Sequence, residues 1–148
     1  MIEAVLIEAR RVIPKGRWSG PARRAILEYD RRYRRRLRFL AEDGTGILLN
    51  LPEATLLRDG DALALTDGSL VEIQAADENL LEITASTPDR LIRLAWHLGN
   101  RHLGVQFLPG ALRIQADHVI AEMVAGLGGT AVPVMAPFDP EGGAYAHG

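Results

Sequence analysis

"STPDRLIRLAWHLGNRHLG", residues 86–104, is the stretch from which the rest of the chain is ordered. Leu91, Leu94, Ala95 and Leu98 recur at helical spacing. Pro88 suits a first helical turn, and Ser86 or Thr87 can cap it. Gly99 weakens the helix, and Gly104 marks its expected end. Before it, "NLLEITA" (79–85) suits a strand. After it, "VQFL" and "LRIQA" flank Pro109-Gly110 as a hairpin. Asp117 is a good N-cap for "HVIAEMVAGL", which Gly128-Gly129 ends. "AVPVMA" is a last strand, and Pro133 places it at an edge. The order β-α-β-β-α-β is the ferredoxin-like arrangement.

Upstream the pattern is different. "AVLIEARRVI" runs into Pro14-Lys15-Gly16, a turn signal, and "ARRAILEYD" follows Pro21. "RRYRRRLRFLAEDGTGILLNL" reads as two strands joined at Glu42–Gly46, and Asp59-Gly60 and Asp67-Gly68 mark further turns. No long helix is expected before residue 87. The expected class is α+β: a small all-β domain over 1–75, a ferredoxin-like βαββαβ domain over 76–136, and a Gly-rich, mobile tail over 137–148. The strands of the first domain are expected to be short and antiparallel.

Composition narrows the chemistry. The chain has 148 residues, a net charge of −2 and no cysteine. Disulfides, thiolate metal sites and cysteine nucleophiles are excluded, so a transition metal must be held by imidazole, carboxylate or backbone groups. Glu3 and Glu8 sit among the first apolar residues, unlike a secretory signal. No apolar run approaches the ~18 residues of a membrane helix. A cytoplasmic protein is expected.

Two of the four histidines, His97 and His102, are five positions apart. On a straight helix that spacing turns through about 500°, leaving the pair roughly 140° apart. Chelation from one helix needs i,i+4, so the two are not expected to share an ion within one chain. The plain alternative has His97 on the helix surface and His102 at the helix C-terminus, where a cation is favourable; in the metal-binding reading His97 is a passing contact for the ion. Symmetry offers another route: a histidine near a two-fold axis meets its own copy, and His147 in the tail could add a ligand. His118 follows Asp117 at a helix start, as a ligand with Asp117 behind it or as an exposed first-turn residue. The helix dipole disfavours a positive imidazole there.

Six arginines lie within residues 31–38, with Tyr33 and Phe39 interleaved. The pattern raises nucleic-acid binding. Against it stand the strand-like alternation, nearby Glu28 and Asp30, and the acidic net charge. A solvated strand face, or a docking surface for an acidic protein, is the preferred reading. No nucleophile elbow or phosphate loop is present.

"LPEATLLRDGDALALTDGSLVEIQAADENLLEI", "LIRLAWHLGNRHL", "LPGALRIQADHVIAEMVAGLG" and the closing "FDPEGGAYAHG" together resemble the UreE urease accessory family of nickel metallochaperones. The resemblance is clearest from about residue 50 onward. It implies a peptide-binding-like β-domain, a ferredoxin-like metal-binding domain, and a homodimer joined through the latter. It implies that His102 supplies the interface metal site from each chain, that His147 adds ligands, and that the protein is not an enzyme. The implied cargo is Ni(II), with Zn(II) or Cu(II) able to substitute in vitro. The implied partners are the UreG GTPase and the UreD/UreF/urease apoprotein complex, with neither nucleic acid nor membrane. The single tail histidine departs from the histidine-rich tails of many members. Ala116 stands where some members carry a further histidine near the position of His118. The alternative function is a protein-binding adaptor of the urease assembly complex acting through the Arg-rich β-domain, its metal binding incidental.

Overall fold

The computed structural model describes residues 5–141. The chain divides into two units, Met1–Ala76 and Asp77–Gly148, each organised on its own sheet.

The first unit contains β1 (Leu6–Ile13), β2 (Arg23–Leu27), a single helical turn α1 (Tyr29–Arg32), β3 (Tyr33–Leu40), β4 (Gly46–Leu56), β5 (Ala62–Leu65) and β6 (Leu70–Ala75). The sheet order is β2-β6-β5-β1-β4-β3. Period-two alternation shows in β4, where Ile47, Leu49 and Leu51 are buried between less buried neighbours. With Leu63, Leu65, Val71 and Ile73 they form the core of the unit.

Contrary to the expectation from their turns, the strands are not all antiparallel. β1 pairs with β4 in parallel, and β2 with β6 in parallel. The two expected hairpins that do form are β3–β4 and β5–β6. Asp67 accepts the Ser69 N–H at 2.9 Å and closes the second. Asp59-Gly60 also reverses the chain, with the Asp61 N–H donating to the Arg58 carbonyl at 3.0 Å. It joins no hairpin, because β1 lies between β4 and β5. Turn chemistry specifies a reversal and not which strand lies alongside.

The second unit runs β7 (Asp77–Ala85), α2 (Pro88–Asn100), β8 (Gln106–Leu108), β9 (Ala111–Gln115), α3 (His118–Gly126) and β10 (Gly129–Pro137). Its antiparallel sheet has the order β10-β7-β9-β8. This is the ferredoxin-like topology. Leu81 and Ile83 of β7 and Leu112 and Ile114 of β9 form one core with Leu94 and Leu98 of α2 and Ile120 and Val124 of α3. Each such side chain contributes about 1.5–3 kcal/mol of burial free energy. β10 starts close under both helices: a Cβ on Gly129 would lie 2.6 Å from Leu94 Cδ1 and 2.8 Å from Val124 Cγ1.

Local chemistry sets the helix starts. The Thr87 hydroxyl accepts the Arg90 N–H at 3.2 Å ahead of Pro88. The Asp117 carboxylate accepts from Val119 at 2.8 Å and Ile120 at 3.2 Å. β10 is an edge strand carrying Pro133.

Residues 138–141, at the start of the stretch expected to be mobile, are tied down. Phe138 is 1% exposed. The Asp139 N–H donates to Gln106 Oε1 at 3.1 Å, and the Glu141 N–H donates to the Val105 carbonyl at 2.9 Å.

Candidate metal centre

α2 ends at Asn100, before the expected stop at Gly104. The His102 N–H donates to the Gly99 carbonyl at 3.0 Å, and the Leu103 N–H donates to the Leu98 carbonyl at 3.4 Å. These two bonds form a Schellman closure, in which the residue after the C-cap takes the left-handed conformation. Glycine normally fills that place. Here it is His102, with φ +62°, and among the described residues it is the one non-glycine with positive φ. The conformation costs an L-residue roughly 1–2 kcal/mol. Leu98 and Leu103 both join the core of the unit, so the hydrophobic contact that accompanies this closure offsets part of that cost. A residue held in a disfavoured conformation by well-packed neighbours is a mark of a functional position.

The imidazole of His102 is exposed. It sits at the negative end of the α2 dipole, which favours a cation. The chain then leads directly to Val105, where Glu141 pairs. Glu141, the last described residue, is therefore fixed beside Val105, three positions after His102. His147 lies outside the described residues.

The other two histidines are elsewhere. His97 is half-buried on α2, its ring edge-on to Trp96 with centroids 5.1 Å apart. It lines a cavity with Arg90, Arg93, Leu94 and Leu127. Two guanidinium cations beside it oppose a metal ion. His118 is exposed in the first turn of α3, just after the Asp117 carboxylate. That carboxylate is occupied by the backbone N–H groups of Val119 and Ile120. Among the described residues, no three His, Asp or Glu side chains converge to hold a metal. Of the described histidines, His102 and His118 are exposed and His97 is half-buried.

The reading of sequence periodicity missed one feature of α2. Ile92 and Trp96, four residues apart, are 68% and 66% exposed. Their signal was present: two large apolar residues off the buried Leu91-Leu94-Ala95-Leu98 stripe.

Similarity to known proteins accounts for nearly the whole chain. The pattern of the UreE urease accessory protein N-terminal domain matches residues 5–76, and that of its C-terminal domain matches residues 78–148. A protein of Rhodopseudomonas palustris (strain HaA2) named urease accessory protein UreE is 55% identical over 142 residues, 95% of this chain and 66% of that protein. A protein of the same name from Bradyrhizobium sp. (strain BTAi1) is 54% identical over 96% of this chain and 69% of its own length. One from Rhodobacter capsulatus is 45% identical over 98% of this chain and 90% of its own length. This chain therefore spans about two thirds of the length of the first two and most of the third. With both domain patterns matched in order and the two sheets in place, the chain belongs to the UreE urease accessory protein family.

Proposed function

We propose that this protein is a urease maturation factor that carries Ni(II) to apo-urease and is not itself an enzyme. The carrying observation is the exposed His102 imidazole, held at the end of α2 in a backbone conformation that histidine adopts only at a cost. A relative 55% identical to this chain bears the name urease accessory protein UreE, which supports the maturation role.

One imidazole cannot hold Ni(II) firmly, so the site is shared. A homodimer through the second unit supplies His102 twice from one position. Exposed Ile92 and Trp96 on the same helix give that association an apolar surface. His147 completes and gates the site from the C-terminal segment. It lies six positions after Glu141, a reach of at most about 20 Å, and Glu141 is paired beside Val105. Zn(II) and Cu(II) accept the same imidazoles in vitro. The receiving partners are the UreG GTPase and the UreD/UreF/urease complex, in the cytoplasm. No helix among the described residues is long and apolar enough to cross a membrane.

Nickel titration with mass measurement in solution tests this reading. His102→Ala should abolish tight binding. Removal of residues 142–148 should weaken binding and leave the dimer intact. Unchanged affinity in His102→Ala, or tight binding by a strict monomer, overturns the shared site.

The adaptor reading draws on a separate observation. Arg34, Arg35, Arg36 and Arg38 are exposed along β3, an edge strand. If docking through that edge were the whole function, replacing these arginines would abolish urease activation and the histidine variants would not.

A further inference from the structure

Arg90, Arg93 and His97 follow one another at i, i+3 and i+7 on α2, the spacing of a single helix face. They line a cavity of about 220 Å³ with Leu94 and Leu127, and among the described residues no carboxylate lines it. Arg90 is fixed in place: its Nη1 donates to the Leu127 carbonyl at 3.0 Å. Gly128, at φ +83°, makes room for it, because a Cβ there would collide with that same nitrogen. One of the five N–H donors of the fork is accounted for in this way, and the planar group is held without being used up. Arg93 makes no hydrogen bond or ion pair among the described residues, Asp89 one turn before it included. His97 contributes a ring already oriented against Trp96.

We propose that this cavity is an oxyanion site, taking a phosphate or carboxylate group, distinct from the metal centre at His102. A pre-positioned guanidinium, a second free one and an imidazole supply several N–H donors around a pocket with an apolar floor. That combination recognises an oxyanion by charge-assisted hydrogen bonds. It repels a divalent cation. His97 is thereby assigned to anion recognition and His102 to the metal, which separates the two histidines of "HLGNRH" by function as well as by direction.

The full-length protein, stripped of metal with a chelator, provides the test at fixed pH and ionic strength. The imidazole signals of His97 are followed by NMR during titration with inorganic phosphate or, in a second arm, acetate. A saturable shift in either arm, absent with chloride, is expected, and the responding arm distinguishes a phosphate from a carboxylate ligand. Arg93→Gln should weaken the apparent affinity at least about tenfold, since a charge-assisted contact is worth more than 1.4 kcal/mol. Arg93 has no bond to lose among the described residues, so the variant should fold normally, which the unchanged amide spectrum elsewhere checks. Arg35→Gln, an exposed arginine of the other unit, should leave the shift unaltered. A linear response equal to that with chloride, or the same saturation in Arg93→Gln, overturns the site. Because no metal is present, either outcome leaves the nickel reading to stand or fall by itself.

Discussion

The Leu103 N–H donates to the Leu98 carbonyl at 3.4 Å, and that bond closes α2 with His102 held between them at φ +62°. The strain at His102 follows from this closure. Glycine would relieve it, at the cost of greater backbone freedom in the unfolded chain. His102→Gly should therefore stabilise the metal-free protein by about 0.5–1 kcal/mol net of that freedom. His102→Ala retains a Cβ and should give no such gain, while both variants lose tight nickel binding. Urea denaturation of metal-free protein decides it: a higher midpoint for the glycine variant with unchanged slope is expected. A lower midpoint for glycine than for alanine would show that the left-handed conformation carries no strain.

Much of this was legible in the sequence, and the failures have physical causes. Thr87, Pro88 and Asp117 announced their helices because capping is local: a side chain bonds to backbone two or three residues away. The edge position of β10 was legible from Pro133, which cannot donate to a ladder. The parallel pairs β1–β4 and β2–β6 were not legible, because strand partners are chosen by packing over long sequence separations. The end of α2 was assigned to Gly104 because a glycine is the usual left-handed residue, yet His102 occupies that conformation. The site residue was thus visible as a histidine in a motif, and its strained placement was visible only in three dimensions. The cavity beside His97 also depends on α3 folding back against α2, which no spacing within α2 reveals.

Arg32 is fully buried in the first unit. Its Nε donates to the Leu27 carbonyl at 3.1 Å, its Nη1 donates to the Leu57 carbonyl at 3.0 Å, and its guanidinium lies 5.9 Å from the Tyr29 ring centroid. This one arginine of the 31–38 cluster is a structural strut. Arg32→Ala leaves two buried carbonyls without these donors and opens a cavity, at a cost of about 3 kcal/mol or more. Arg35→Gln, on the exposed part of the same cluster, should change stability by less than about 0.5 kcal/mol. Equal urea midpoints for the two variants would contradict the distinction.

Asp43 ties the β3–β4 turn to β2. The Thr45 backbone N–H donates to it at 3.0 Å, and Arg23 Nε donates to its other oxygen at 3.0 Å. The bonds from Thr45, foremost the backbone one, hold its carboxyl below the ordinary 3.8, and Arg23 adds to them. A carboxylate whose folded pKa is depressed contributes stability above its unfolded value, and that contribution is lost as pH falls from about 3.8 through the folded value. Asp43→Asn should be less stable than the parent at pH 6, and the difference should shrink below pH 3.8. Denaturation midpoints at both pH values measure this, and a gap that stays constant across them would remove the assigned role.

Trp96 provides the sharpest test of the shared metal site, because it is not a ligand and is 66% exposed within one chain. If it and Ile92 are covered by a second copy, Trp96→Glu places a charge in that contact without disturbing the core. Central aromatic residues of interfaces commonly contribute 2–4 kcal/mol, so dimer dissociation should strengthen about 30- to 1000-fold. Metal binding and dimerisation are linked: an ion that requires His102 from both chains stabilises the dimer by the same free energy by which the dimer favours the ion. The variant should therefore also lose nickel affinity, although every histidine is intact, and nickel at millimolar excess should restore part of the dimer. Sedimentation with and without nickel measures both effects, and far-UV circular dichroism verifies the fold. A variant that stays fully dimeric would place the interface elsewhere on the second unit. One that is monomeric yet binds nickel as tightly as the parent would show that the ion needs only one chain.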